Sequence, residues 1–107
     1  MKQTYENFEN NIYGKLPYGY VPETLHNDIF EKGLVGTYPD PERPRGRQKE
    51  RRPLRICVYR DFKFTETKNT LYGCHFTVEY IPTGEVILEN KCGLWMIEHF
   101  VWWWYNK

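Results

Sequence analysis

Hydrophobic and polar residues alternate along two stretches in the second half of the chain. From Leu54 to Phe64 the even-numbered positions are apolar except for Arg60, and from Leu71 to Ile81 they are again apolar or aromatic. A period of two residues is typical of a β-strand that buries one face. The pattern therefore predicts two strands whose even-numbered side chains point to the core, and it places Cys57 on the polar face of the first.

A turn sequence at residues 82–84, Pro-Thr-Gly, follows the second of these strands. Proline fixes φ at the first turn position, and glycine accepts the left-handed conformation at the last. A three-residue connection would align the apolar sides of the two flanking strands. The expected neighbours are Tyr80 with Val86 and Val78 with Leu88. The sequence therefore predicts a three-stranded antiparallel meander over about residues 54–91.

An aromatic segment, Leu94–Tyr105, comes after Gly93. Its apolar residues recur at helical spacing, which would place Leu94, Ile97 and Val101 on one helix face. Aromatic residues also favour strands. We predict a C-terminal helix that covers the apolar side of the sheet, and a fourth strand is the alternative.

The N-terminal part of the chain, residues 1–42, is rich in Tyr, Pro, Gly and Asn. Pro22 and Gly33 enclose a segment with an apolar stripe, which predicts a short helix. The stripe consists of Leu25, Ile29 and Phe30. Residues 4–13 are a candidate for another turn or two of helix, and this part is also the expected source of an additional edge strand. The predicted fold is α+β, with a loop-rich N-terminal part that contains one short helix.

The length of 107 residues suits one domain with its own core. We divide this domain, 1–107, into the loop-rich N-terminal part (1–42), a basic Arg/Pro/Gly segment (43–53), and the sheet with its C-terminal helix (54–107). The N-terminus is polar and acidic, unlike a secretory signal, and no apolar stretch is long enough to span a bilayer. We expect a cytoplasmic protein without membrane contact.

Catalytic and metal-binding signatures are weak. The chain has no serine and no glycine-rich phosphate-binding motif. Its three cysteines lack a CxxC spacing, so we expect reduced structural thiols rather than a metal site. An acid/base site of His75, Glu79 and Arg55 can be imagined, although exposed polar residues of a sheet explain these positions more simply. The sequence predicts a protein that is not an enzyme and needs no cofactor.

The basic segment carries most of the arginines. Residues 43–55 contain seven basic residues and one acidic residue, Glu50, whereas the rest of the chain has an acidic excess. The seven are Arg43, Arg45, Arg47, Lys49, Arg51, Arg52 and Arg55. Arginine binds phosphate in a bidentate manner and stacks on bases. The segment predicts contact with nucleic acid or a ribonucleoprotein, and the alternative is that its arginines pair with the protein's own glutamates.

The tryptophans form the second candidate site. Trp102, Trp103 and Trp104 are consecutive, and Trp95 lies seven residues before Trp102. Neighbouring residues of a helix point about 100° apart, so three consecutive tryptophans cannot all face a core. Tryptophan is enriched in binding hot spots. We predict a protein interface at these four residues, to a foreign partner or a second copy of the chain, and the alternative is an aromatic core with one incompletely covered edge.

Small size, high aromatic content and separated charge resemble small intracellular inhibitors, such as phage-encoded proteins that block host factors. The resemblance concerns overall character and covers no particular residues. Two functional hypotheses follow. One is a nucleic-acid or ribonucleoprotein binder that acts through residues 43–55. The other is a protein-binding inhibitor that docks through its aromatic C-terminus or its sheet face.

Overall fold

The computed structural model describes residues 3–16, 21–41, 52–70 and 73–106. Helices and strands follow one another along the chain in a simple order. The helices are α1 (Gln3–Asn11), α2 (Thr24–Phe30) and α3 (Leu94–Asn106), with a short 3-10 turn at Tyr13–Lys15. The strands are β1 (Leu34–Tyr38), β2 (Leu54–Tyr59), β3 (Phe62–Thr70), β4 (Gly73–Tyr80) and β5 (Glu85–Cys92).

The sheet is an antiparallel meander with five strands in the order β1-β2-β3-β4-β5. The α+β class and the C-terminal helix are confirmed, but the expectation of three strands is wrong. The N-terminal part also contains two helices, α1 and α2, and not the single short helix that we predicted. One added strand is β1, which comes from the N-terminal part and pairs with β2. The other arises because the first predicted strand is itself a hairpin, β2 and β3.

The hairpin between β2 and β3 turns through Arg60 and Asp61, and it pairs Tyr59 with Phe62. Arg60 adopts a positive φ of 52°, as a tight two-residue hairpin turn requires. Directly opposed residues share a face, so the core-facing positions change from even on β3 to odd on β2. Cys57 consequently lies opposite Phe64 and is fully buried. The prediction that Cys57 lies on the polar face is therefore wrong.

The strand pairing across the turn between β4 and β5 agrees in part with the prediction. Val78 pairs with Leu88 as predicted, and both side chains are buried. Tyr80 pairs with Glu85 rather than Val86, because four residues separate the paired ends and the register shifts between Val78 and Glu79. Gly84 has a φ of 72°, the left-handed conformation that the turn sequence predicts.

Aromatic residues make up most of the core between the sheet and the helices. Phe62 and Phe64 of β3 are fully buried, as are Phe100 of α3 and Phe8 of α1. The Phe100 ring meets the Phe8 and Phe62 rings edge-on at centroid distances of 5.6 and 5.9 Å. Leu25, Ile29 and Phe30 of α2 are buried as predicted.

The C-terminal helix is tied to the first hairpin turn of the core. The Tyr105 hydroxyl accepts a hydrogen bond from the Asp61 backbone N–H at 2.8 Å and donates one to the Asp61 carboxylate at 3.1 Å. The Arg60 guanidinium lies over the Tyr105 ring, 4.6 Å from its centroid. These contacts hold the end of α3 on the sheet.

In the described part of the chain, every helix is too short or too polar for a membrane-spanning segment.

Candidate functional site

Glu66 is the one charged residue in the buried part of the described chain. It follows Phe64 on the core-facing side of β3, where the register shifts between Glu66 and Lys68. A buried carboxylate is costly unless positive charges and hydrogen bonds satisfy it. Two arginines of the basic segment supply both.

Arg52 and Arg55 surround the Glu66 carboxylate. Arg52 binds it in a bidentate manner, with Nη1 2.9 Å from Oε1 and Nη2 2.8 Å from Oε2. Arg55 donates its backbone N–H to Oε1 at 3.0 Å, and its Nη2 lies 3.3 Å from Oε2. Bidentate arginine–carboxylate pairs are among the stronger protein hydrogen bonds. The cluster therefore fixes the end of the basic segment to the sheet.

Aromatic and hydroxyl groups complete this cluster. The Arg55 guanidinium lies over the rings of Phe30 and Phe76, at 5.4 and 5.6 Å from their centroids. Such positions favour a cation by attraction to the ring face. The Tyr38 hydroxyl, at the end of β1, donates a hydrogen bond to the backbone carbonyl of Glu66. Residues on both sides of the basic segment thus contact Glu66.

The ionisation of the cluster follows from these contacts. Burial raises the pKa of Glu66, but the hydrogen bonds from Arg52 and Arg55 outweigh it and hold the pKa at about 2, below the usual 4.5. Burial and the nearby Glu66 carboxylate raise the pKa of the Cys74 thiol. Because the thiolate is the nucleophilic form of cysteine, this shift works against a role for Cys74 as a nucleophile.

The predicted anion-binding residues divide into two groups. Arg52 and Arg55 contact the protein's own carboxylate, as the alternative interpretation of the segment expects. The other five lie outside the described residues: Arg43, Arg45, Arg47, Lys49 and Arg51. The side chain of Arg52 remains 40% exposed, so it can still meet a ligand from the solvent side.

The four predicted interface tryptophans differ in their exposure to solvent. Trp95 is 74% exposed. Trp102, Trp103 and Trp104 are partly buried and pack against the core. The Trp104 ring centroid lies 5.5 Å from that of Phe62, and the Trp103 centroid lies 5.3 Å from that of Phe8. The exposed aromatic surface of the cluster is therefore concentrated at Trp95.

The imagined acid/base group does not assemble in the structure. Arg55 lies on the core face of the sheet beside Glu66 and Phe76. His75 and Glu79 occupy the alternate positions of β4, which face the other way from Phe76. The His75 ring instead approaches the Asn90 carbonyl at 3.4 Å.

A cavity of about 650 Å³ lies beside Trp95, and no pattern in the sequence indicated it. Its walls come from the 3-10 turn, the start of α2 and the first turns of α3. Within it, His26 Nδ1 lies 2.6 Å from Glu98 Oε1. His99 Nδ1 lies 2.7 Å from the Trp95 carbonyl and must donate, because a carbonyl oxygen only accepts. No single motif could have revealed this site, since Glu98 and His26 are 72 residues apart.

Neither the described metal-ligating residues nor comparison with known proteins indicates a function. Among the residues that the structure describes, no group of three or more His, Cys, Asp and Glu side chains is placed to hold a metal ion. Comparison of the chain with models of protein families, with curated proteins and with solved structures finds no match. We therefore infer function from the geometry of the Glu66 cluster and of the cavity.

Proposed function

We propose that this protein is a non-enzymatic binding protein that contacts nucleic acid, free or in a ribonucleoprotein, through residues 43–55. The observation that carries the proposal is the position of this segment between two paired strands. Tyr38, the last residue of β1, pairs with Leu54, the first residue of β2. The connection between them, residues 39–53, holds every basic residue of the segment except Arg55, which lies in β2. Tyr38 and Arg52 attach the two ends of this connection to the Glu66 cluster.

Charge supports this proposal. The Glu66 carboxylate offers one negative charge to Arg52 and Arg55, which together carry two positive charges. Glu50 is the only acidic residue within the segment. A long connection with an excess of arginine, anchored on a rigid sheet, is suited to phosphate groups, because the anchor limits the conformational entropy lost on binding.

The test leaves Arg52 and Arg55 unchanged, so that their contacts with Glu66 are kept. The variant carries Arg43→Gln, Arg45→Gln, Arg47→Gln and Arg51→Gln. Fluorescence anisotropy with labelled single-stranded RNA and duplex DNA, between about 50 and 200 mM salt, measures affinity and its salt dependence. We expect the variant to bind much more weakly, with the slope of log K against log salt reduced by about 0.7 per lost contact on RNA and about 0.9 on duplex DNA.

The control variant loses the same positive charge elsewhere on the molecule. It carries Lys15→Gln, Lys32→Gln, Lys63→Gln and Lys91→Gln. We expect it to retain most of the affinity, because the proposal assigns binding to the segment and not to net charge. Equal weakening of the two variants, or no binding of either nucleic acid by the unmodified protein, would refute the proposal.

The second candidate function is that of a protein-binding inhibitor, and the exposure of Trp95 favours it. A tryptophan that is 74% exposed adds a large apolar surface suited to a binding hot spot. Affinity capture from lysate with and without nuclease separates the two candidates. Partners that survive nuclease and high salt but are lost in Trp95→Ala support the inhibitor, whereas partners lost with nuclease support nucleic-acid binding.

A further inference from the structure

We propose that the cavity beside Trp95 binds a small organic cation with an ammonium group. None of its described lining residues belongs to the basic segment or contacts Glu66. Its volume of about 650 Å³ lies within the usual range for pockets that hold small molecules. The class of ligand follows from three properties of the lining: its aromatic rings, its charge and its apolar wall.

Aromatic rings form one side of the cavity. The Trp95 and His99 rings are stacked, with centroids 6.3 Å apart and an angle of 27° between their planes. The Tyr13 ring meets His99 edge-on, at 5.2 Å and 83°. Tryptophan and tyrosine faces attract cations, and tryptophan does so most strongly. Because Trp95 is largely exposed, this contact is accessible without displacing core side chains.

The described lining of the cavity carries negative charge, which suits a cationic ligand. Glu98 and Glu23 line it, and the lining residues that the structure describes include no lysine or arginine. The Glu98 side chain is only 12% exposed. One of its oxygens contacts His26, and the other has no hydrogen-bond partner within the described chain. A shielded carboxylate beside aromatic faces favours an ammonium ion and repels phosphate or carboxylate ligands.

The remaining wall of the cavity is apolar. It is formed by Leu16, Val21, Pro22 and Leu94. Methyl or methylene groups attached to the ligand nitrogen would bury apolar surface against these side chains. The combination of aromatic faces, one shielded carboxylate and an aliphatic wall therefore suits an alkylated ammonium ion better than a small hydrated metal cation.

The test compares choline with its uncharged isostere 3,3-dimethylbutan-1-ol, in which carbon replaces the quaternary nitrogen. Benzyltrimethylammonium serves as a larger cation. Titrations are followed by calorimetry and by the NMR signal of the Trp95 indole N–H, identified by its loss in Trp95→Leu. They are run at one fixed pH, because the quaternary cations keep their charge at any pH.

We expect saturable binding of both cations, with choline at least about tenfold tighter than its isostere. Glu98→Gln removes the charge and keeps the side-chain shape, so it should weaken choline binding about tenfold, as should Trp95→Leu. Glu89→Gln, at an exposed position on β5 outside the cavity lining, is the matched control and should leave binding unchanged.

Several results would overturn the proposal. Equal affinity for choline and its isostere would show an apolar cavity without charge selectivity. Equal effects of Glu98→Gln and Glu89→Gln would place the attraction outside the cavity. Failure of both cations to bind in the millimolar range would also contradict it, and Trp95→Leu tests the site independently if Glu98→Gln does not fold.

Discussion

Glu66→Gln is expected to lower the free energy of unfolding by about 3 kcal/mol. The substitution keeps the side-chain shape but leaves the Arg52 and Arg55 guanidinium groups without their carboxylate. Removing one partner of a buried ion pair typically costs 3 to 5 kcal/mol, and the partial exposure of Arg52 places this case at the low end. Urea unfolding measures the loss, and Glu89→Gln on the exposed side of β5 is the control, for which we expect little change.

The same variant gives a signature in pH that a packing defect would not. The pKa of Glu66 is about 2 in the folded protein and about 4.5 ordinarily. The ionised Glu66 carboxylate therefore stabilises the folded protein by about 3 kcal/mol above pH 4.5. This stabilisation is lost as the pH falls through 2. The stability gap between the unmodified protein and Glu66→Gln should narrow over that range. A gap that stays constant from pH 5 to pH 2 would contradict the ionic role of Glu66.

Phe62→Ala is expected to cost about 4 kcal/mol of unfolding free energy. Phe62 is fully buried at the start of β3, where the first hairpin meets α3. Its ring lies within 6.3 Å, centroid to centroid, of five other rings: Phe64, Tyr80, Phe100, Trp104 and Tyr105. Truncation leaves a cavity among large planar groups that cannot easily close around it.

Thermal and urea unfolding measure this loss, and Val86→Ala is the control for a truncation of an exposed strand residue. We expect Phe62→Leu to lose less than Phe62→Ala, because leucine refills part of the space. If Phe62→Ala destabilises no more than Val86→Ala, the aromatic cluster around Phe62 does not contribute the proposed packing energy.

Local patterns in the sequence predicted the elements with clear periodicity. The α3 helix, the apolar stripe of α2 and the Val78–Leu88 pair all follow from spacing and turn chemistry. The β2–β3 hairpin could not be recognised in this way, because Arg60 and Asp61 replace the Asn-Gly type of turn sequence. With the turn unseen, residues 54–64 looked like one continuous alternating strand.

The candidate sites depended on contacts between distant parts of the chain. Glu66 lies outside both strands predicted from the alternating pattern, and nothing in the sequence indicates that Arg52 and Arg55 surround its carboxylate. The cavity combines Tyr13, His26 and Glu98 from three separate elements. Sequence periodicity reports which face a residue occupies, and not which distant residue it meets. The residues that surround Glu66 and those that line the cavity therefore could not be identified before the fold was known.

The order of the strands has a kinetic consequence. Strands β2 to β5 are joined by short turns, so each hairpin closes at a small entropic cost. Strand β1 must instead bring together the two ends of residues 39–53, a longer connection whose arginines repel one another. Adding β1, the first strand in the sequence, therefore costs more free energy than adding any of the other strands. High ionic strength screens the repulsion and lowers the free-energy barrier to completing the sheet.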